Sequence, residues 1–322
     1  MKALVWNGPE RLSVEEVPDP EAGPGEVLLA PEAVGVCGSE VEGYLGAQAN
    51  RTPPLVMGHE LAGRVVALGG GVGREWEGRR VAVNPLVAAP DAIAGIEQLA
   101  SDRQLIGVHR PGGFAERVAV PAHRLRALPD GADARLGALA EPLANGVHAA
   151  RIGRAGVEGG PVERVVVIGA GTIGLVTLQA IEAESIGVIE PHDTRRAMAV
   201  TLGAHEVAPD DGGFDLVFDA AGTPDTRQLA LRLLRPGGCA VLIGLAADEH
   251  AIGFHDVIRR GLTVRGSYAY TDADYDAALA MLLDGRAGLG QLEDVQPLEA
   301  GPDAFAELAG GPSDRVKVFL AP

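Results

Sequence analysis

Cysteine is nearly absent from this chain: Cys37 and Cys239 are the only two in 322 residues. Two thiols so far apart give neither a disulfide framework nor a multi-cysteine structural metal cluster, and they suit a reducing compartment, so a cytoplasmic protein is expected. Positive charge is scarce too. Lys and Arg number 27 against 44 Asp and Glu, a formal charge of −17. Nucleic acid and anionic membrane surfaces both demand clustered cations, so neither is an expected partner. No apolar run approaches membrane-spanning length. The opening stretch around Met1 to Gly8 lacks a signal-peptide layout, because glycine and proline interrupt it before a long apolar region. Internal repeats and low-complexity segments are also missing.

What is present points to two domains. A chain of 322 residues exceeds what one core usually covers. The first part reads as short strands punctuated by Gly and Pro, such as Glu26 to Ala30 and Arg64 to Leu68, the pattern of an irregular β-rich barrel. From about Val162 strands alternate with helical stretches: Val165 to Ile168, Ile186 to Ile189, Leu216 to Phe218 and Cys239 to Ile243. That alternation predicts a parallel, doubly wound sheet. The Gly- and Pro-bearing segment Arg151 to Glu163 is the expected crossing between the domains.

Two constellations carry chemistry. The apolar run Arg164 to Ile168 ends in Gly169-Ala170-Gly171-Thr172-Ile173-Gly174, a G-x-G-x-x-G in strand-turn-helix context. Gly169 permits the tight turn, Gly171 lets backbone approach a pyrophosphate, and Gly174 lets the helix pack closely, with Thr172 and Ile173 at the helix N-terminus that faces the phosphates. The next strand ends at Glu190, placed to accept hydrogen bonds from the adenosine ribose and to repel a 2′-phosphate, so NAD is expected over NADP. Arg195 and Arg196 lie just beyond and could instead cradle that phosphate. Upstream, Cys37, His59-Glu60 and Glu141 supply a thiolate, an imidazole and carboxylates from separate turns, a set that can hold one zinc and leave a position open for an alcohol.

Zinc ligands first and a dinucleotide fold second resembles the zinc-dependent medium-chain alcohol and polyol dehydrogenases. The resemblance runs nearly end to end, through Gly35-Val36-Cys37-Gly38-Ser39-Glu40, Gly58-His59-Glu60, Gly112-Gly113-Phe114-Ala115-Glu116, Glu141-Pro142-Leu143, the glycine fingerprint, Phe218-Asp219-Ala220-Ala221-Gly222 and Leu234-Arg235-Pro236-Gly237-Gly238. It implies an α/β fold with a β-rich catalytic domain: a GroES-like irregular barrel over 1–150 and 288–322, and a Rossmann domain over 151–287. It implies Cys37 and His59 as zinc ligands, with Glu60 and Glu141 competing for the third place. Glu141 is the favoured choice, since a pre-proline residue reads as extended backbone that leaves its side chain free to point into a cleft. By the same resemblance Ser39 hands the substrate proton onward, Glu40 orients the zinc-bound imidazole, and Glu42 stands where relatives often carry a proton-passing His. Tyr44 and Phe114 would line the substrate cleft or serve as core aromatics, and Gly222 belongs to the cofactor site.

The expected activity is hydride transfer between a secondary alcohol, as in a polyol, sugar or cyclitol, and NAD, in a homodimer or homotetramer. The alternatives are a zinc-free quinone or enoyl reductase, or a silent nicotinamide-binding sensor or scaffold. Departures from the family are clear. The lobe that often binds a structural zinc through four cysteines has none here, Ala89, Ala92 and Ala100 falling near the expected thiolates, so one zinc at most is expected. Residues 91–99 are rich in helix formers and read as a rebuilt helix or a mobile loop. The helix after Gly174 reads as shortened.

Overall fold

In the computed structural model the described residues are all of 1–322 except 49, 88–91, 250, 291 and 312. Their α-helices are α1 (Gly38–Tyr44), α2 (Ala134–Arg154), α3 (Thr172–Gln179), α4 (Asp193–Thr201), α5 (Pro224–Leu233), α6 (Phe254–Arg260), α7 (Asp272–Leu283) and α8 (Gly301–Ala309). The chain divides into a unit of Met1–Glu141 with Leu279–Pro322, and a unit of Pro142–Ala278. These boundaries fall inside α2 and α7 rather than at 150/151 and 287/288. Residues 134–154 form one unbroken helix through Pro142, so the chain passes from the first unit to the second within α2.

The first unit is built on a seven-stranded sheet whose centre is the long strand Glu26–Gly35, antiparallel to Glu60–Leu68 on one side and to Phe319–Ala321 on the other. Alternating burial along the first part of Glu26–Gly35 puts Val27 and Leu29 into the core, and after the register shift between Pro31 and Ala33 Val34 joins them with Leu61, Val65, Phe114, Phe305 and Leu320. Register then does the functional positioning. Gly35 pairs with both Glu60 and Phe319, and the Val36 N–H donates to the Val318 carbonyl at 2.9 Å. Cys37, His59, Glu60 and Lys317 therefore arrive at one end of three neighbouring strands. Gly35 must be glycine there, because a Cβ would lie 2.1 Å from Glu60 Oε2.

The second unit is a six-stranded parallel sheet in the order 205–206, 185–189, 164–168, 214–219, 234–242, 263–266. Strand Arg164–Ile168 is buried on both faces and so reads as a continuous Val/Ile run. The chain winds outward from it in both directions, which makes its C-terminal end the point where strand order reverses. Strand Ser185–Ile189 pairs in full register with Arg164–Ile168, reached from α3 of only 8 residues. In the cysteine-free lobe, Asp91 and Ala89 lie outside the described residues. From Ala92 onward the chain forms a single 3-10 turn at Glu97–Leu99 instead of an α-helix, since Gly95 adopts a left-handed φ of 84° that ends helical progress.

Candidate metal centre and cofactor turn

Cys37 caps α1, and its sulfur, a nitrogen of His59 and an oxygen of Glu60 all lie within 4.8 Å of one another. A thiolate, an imidazole and a carboxylate in that spacing fit the S/N/O donor preference of zinc, with fewer than four protein ligands, as an open catalytic site requires. The orientation of the imidazole is fixed from behind. His59 Nδ1 is 2.9 Å from Glu40 Oε1, and the same carboxylate accepts the N–H groups of Gly58 at 2.7 Å, His59 at 3.2 Å and Cys37 at 3.1 Å. Glu40 is fully buried, which alone would push its pKa up, but His59, the Cys37 N–H and the Arg51 charge hold it below the usual carboxylate range. Burial pulls the His59 pKa down, yet Glu40 and the Cys37 sulfur outweigh it and raise the pKa well above its ordinary value. The longer Glu thus fills the role anticipated for a shorter Asp, holding one ring nitrogen so that the other faces the ligand set.

Glu60 is 1% exposed and both its oxygens are engaged by Lys317, at 2.8 and 2.6 Å from Nζ, which also donates to the Val36 carbonyl at 3.0 Å. Burial depresses the Lys317 pKa, but Glu60, Cys37 and Glu141 together raise it. Sequence reasoning missed Lys317. The available signal was a single cation inside the apolar tail Val316 to Leu320. Glu141 is buried but lies outside the group formed by Cys37, His59 and Glu60. The expectation of an extended pre-proline backbone at Glu141 is corrected: the residue sits within α2, with Pro142 also inside the helix. Proline disfavours helix in the residue before it without forbidding it, and here the other residues of α2 prevail.

Ser39 Oγ is 3.4 Å from Cys37 Sγ. Arg51 Nη2 approaches the same hydroxyl at 3.5 Å, and Arg51 Nη1 reaches Gln48 Oε1 at 3.2 Å, while Gln48 Nε2 donates to Glu42 Oε2 at 2.5 Å. Among the described residues Glu42 is therefore linked to Ser39 through an amide and a guanidinium, groups that do not pass protons. Tyr44 and Phe114 are core aromatics, 8% and 1% exposed, packed on Phe305 with ring centroids 5.8 and 6.0 Å away.

In the second unit Gly169, with φ 92°, turns the chain from strand into α3, whose N-cap is Gly171 and whose first residues are Thr172, Ile173 and Gly174. Glu190 Oε2 accepts the Ala170 N–H at 2.6 Å and Oε1 the His192 N–H at 2.8 Å, so the carboxylate is held against the glycine turn. Arg196 Nη1 donates to the Glu190 carbonyl at 2.9 Å. Arg195 lies half-buried on α4. Gly222, with φ 74°, donates its N–H to Asp219 Oδ1 at 2.8 Å at the end of strand Phe214–Asp219.

Residues 23–130 match the family model of the alcohol dehydrogenase GroES-like domain, and residues 169–284 that of zinc-binding dehydrogenases. The chain belongs to the zinc-binding alcohol dehydrogenases. It is 32% identical over 310 residues, 89% of each chain, to 2-dehydro-3-deoxy-L-galactonate 5-dehydrogenase of Pseudoalteromonas atlantica. The crystal structure of 2R,3R-butanediol dehydrogenase from Bacillus subtilis superposes with a TM-score of 0.90 at 28% identity, covering 100% of this chain and 99% of that one. A zinc-binding dehydrogenase from Sinorhizobium meliloti, bound to NADP, superposes with a TM-score of 0.89 at 30% identity over 100% and 99% of the two chains. This zinc-binding dehydrogenase accordingly has a GroES-like domain and a Rossmann domain, and it is an oxidoreductase of alcohols and polyols that uses zinc and a nicotinamide cofactor. No helix among the described residues is long and apolar enough to cross a membrane.

Proposed function

We propose that this chain oxidises a secondary hydroxyl of a polyol, sugar or cyclitol with NAD, using one zinc held by Cys37, His59 and a carboxylate. The observation that carries this reading is the Cys37, His59 and Glu60 cluster with Glu40 behind the imidazole. When bound, Zn²⁺ supplies a Lewis acid that polarises the substrate hydroxyl, and NAD the acceptor for the carbinol hydride. The chain's own groups do the rest. Cys37 and His59 anchor the site, and Glu40 fixes the ring. Ser39 takes the hydroxyl proton, and Glu190 favours NAD by offering a carboxylate where a 2′-phosphate would stand.

Glu60 is the resting carboxylate ligand in this reading, with Glu141 behind it. Glu42 serves as a polar neighbour of the site rather than a relay. The preference for polyols rests on chelation: two vicinal hydroxyls can reach one metal together. The lack of thiols in the lobe supports a single zinc per subunit. A homo-oligomer is also proposed, supported by the exposed edge strand Thr263–Gly266 and by Phe254, Ile258 and Leu245, which are 68%, 73% and 65% exposed in the same unit. The two-thiol composition supports a cytoplasmic location.

Cys37→Ala and His59→Ala test the core of the reading. Each removes an inner-sphere ligand and is expected to abolish both zinc retention through gel filtration and turnover, while NAD binding measured by fluorescence stays nearly intact. Full zinc occupancy at a normal rate in either variant overturns the ligand assignment.

A further inference from the structure

Arg51 is 6% exposed and forms no ion pair among the described residues, although its charge is felt by the buried Glu40. Its Nη1 contacts Gln48 Oε1 at 3.2 Å and Asn50 Oδ1 at 3.4 Å, and its Nη2 contacts Ser39 Oγ at 3.5 Å. All three partners are neutral. Its Nε–H has no acceptor among the described residues. Among the described residues no carboxylate comes within the 4.0 Å of an ion pair. The two acidic side chains of α1 that could have served are occupied: Glu40 accepts from Gly58, His59 and Cys37, and Glu42 from Gln48.

The approach of Arg51 to Ser39 is built into the helix. Gly43 stands four residues after Ser39, on the same face of α1, and a Cβ there would lie 2.7 Å from Arg51 Cδ and 2.9 Å from Nε. The missing side chain lets the arginine lie along α1 and carry its guanidinium to the catalytic hydroxyl. A buried charge is costly unless paired, and removal of a counter-charge from such a site is far more damaging than its loss at a surface. A fixed cation beside Ser39, in a chain of formal charge −17, is what a site needs when its substrate brings the anion.

We propose that Arg51 recognises a carboxylate on the substrate, so that the preferred substrates are sugar acids whose oxidised hydroxyl lies within a few bonds of the carboxyl group. The proposal rests on the dehydrogenase reading above and narrows its substrate class. The reaction is unchanged in kind. The secondary carbinol of the acid becomes a ketone, its C–H hydrogen leaves with the electron pair to reduce NAD⁺, and its hydroxyl proton is released to solvent.

The test compares aldonates with their matching neutral alditols in the gluco, galacto and ido series, and with the alditol 1-phosphates, on the zinc-loaded protein with NAD. The wild type is expected to favour the aldonate within each matched pair. Arg51→Met is expected to lower the aldonate-to-alditol ratio of kcat/KM by about 10- to 100-fold, the size of a lost charge-assisted hydrogen bond. Arg51→Lys, which keeps the charge, should lower it less. In thermal shift with zinc and NAD present, the aldonate should raise Tm more than the alditol, and Arg51→Met should remove the difference. A wild-type preference for neutral alditols or for phosphates overturns the proposal, as does an Arg51→Met variant in which both substrates lose equally, since that would mean Arg51 only supports Ser39. If Arg51→Met does not fold, the wild-type ratio and Arg51→Lys decide alone. Failure of the dehydrogenase reading looks different: no alcohol of any charge would reduce NAD in the zinc-loaded protein.

Discussion

Lys317 Nζ stands 2.8 and 2.6 Å from the two carboxylate oxygens of Glu60, with the side chains 3% and 1% exposed, and Glu60 is also one of the three groups that converge as metal ligands. The same carboxylate therefore serves a lysine and, in the proposed reading, the metal. In the zinc-free protein Lys317 neutralises a buried anion that would otherwise be left alone. Lys317→Met should cost the zinc-free protein about 3–5 kcal/mol, the usual penalty for breaking a buried pair. With zinc bound the metal compensates Glu60, so the loss should be smaller, and by linkage zinc affinity should rise. Unfolding with and without zinc, with chelator titration of both proteins, checks this. Easier loss of zinc from Lys317→Met would mean that the lysine holds Glu60 in place for the metal instead of competing with it.

Much of this arrangement was legible in the residues, for a physical reason. The glycine fingerprint and the Cys37 and His59-Glu60 motifs are local: each needs a particular backbone turn, and the turn leaves its mark in adjacent residues. What could not be read comes from contacts between distant segments. Lys317 reaches Glu60 because strand Phe319–Ala321 pairs with Glu26–Gly35, a register set by tertiary packing. Arg51 meets Ser39 across a loop whose sequence carries no periodicity. Glu141 misled because the local rule for a pre-proline residue is weaker than the pull of a 21-residue helix. The lobe's composition left a helix or a mobile loop open, and Gly95 interrupts the helix.

The two carboxylates near the metal centre should separate under mutation. Glu60 already lies within 4.8 Å of the Cys37 and His59 donor atoms, and Glu141 does not belong to that group. Glu60→Ala should strip zinc at a lower chelator concentration than wild type. Glu141→Ala should lower the rate about 10–100-fold, as supporting groups around a metal do, with a smaller change in zinc content. Zinc content against chelator for both variants decides it, and retention in Glu60→Ala with loss in Glu141→Ala would reverse the roles.

In the proposed reading cofactor choice turns on Glu190. Its carboxylate is held at the glycine turn by the Ala170 and His192 N–H groups, so its charge is fixed where that reading puts the adenosine ribose. Glu190→Ser should weaken NAD binding by about 10- to 100-fold, the loss of a charge-assisted hydrogen bond, and narrow the gap to NADP by relieving repulsion. KM for each cofactor measures the gap. A wild-type preference for NADP, reversed by Arg195→Ala, would show that Arg195 and not Glu190 sets the choice.

Asp274 gives the protein a defined acid sensitivity. It is 3% exposed at the start of α7, and it accepts from Arg151 Nε at 2.8 Å and Nη2 at 2.9 Å, from Thr271 Oγ1 at 2.8 Å and from the Thr271 N–H at 3.0 Å, with His148 Nδ1 at 2.7 Å. Burial would push its pKa up, but Arg151, His148 and Thr271 outweigh it and hold it far below the usual carboxylate range. A carboxyl group whose folded pKa is depressed contributes its full stability above the unfolded pKa and loses it as pH falls toward the folded pKa. Asp274→Asn keeps the shape and removes the charge, so it should cost about 1.5–3 kcal/mol near neutrality, the worth of hydrogen bonds to a charged group. That deficit should stay constant from about pH 8 to about pH 5 and shrink below about pH 4, where the wild type begins to lose the same contribution. Denaturant unfolding of wild type and variant across this range gives the difference at each pH. A deficit that instead grows toward low pH would mean that another group supplies the stability and that Asp274 is protonated in the folded protein.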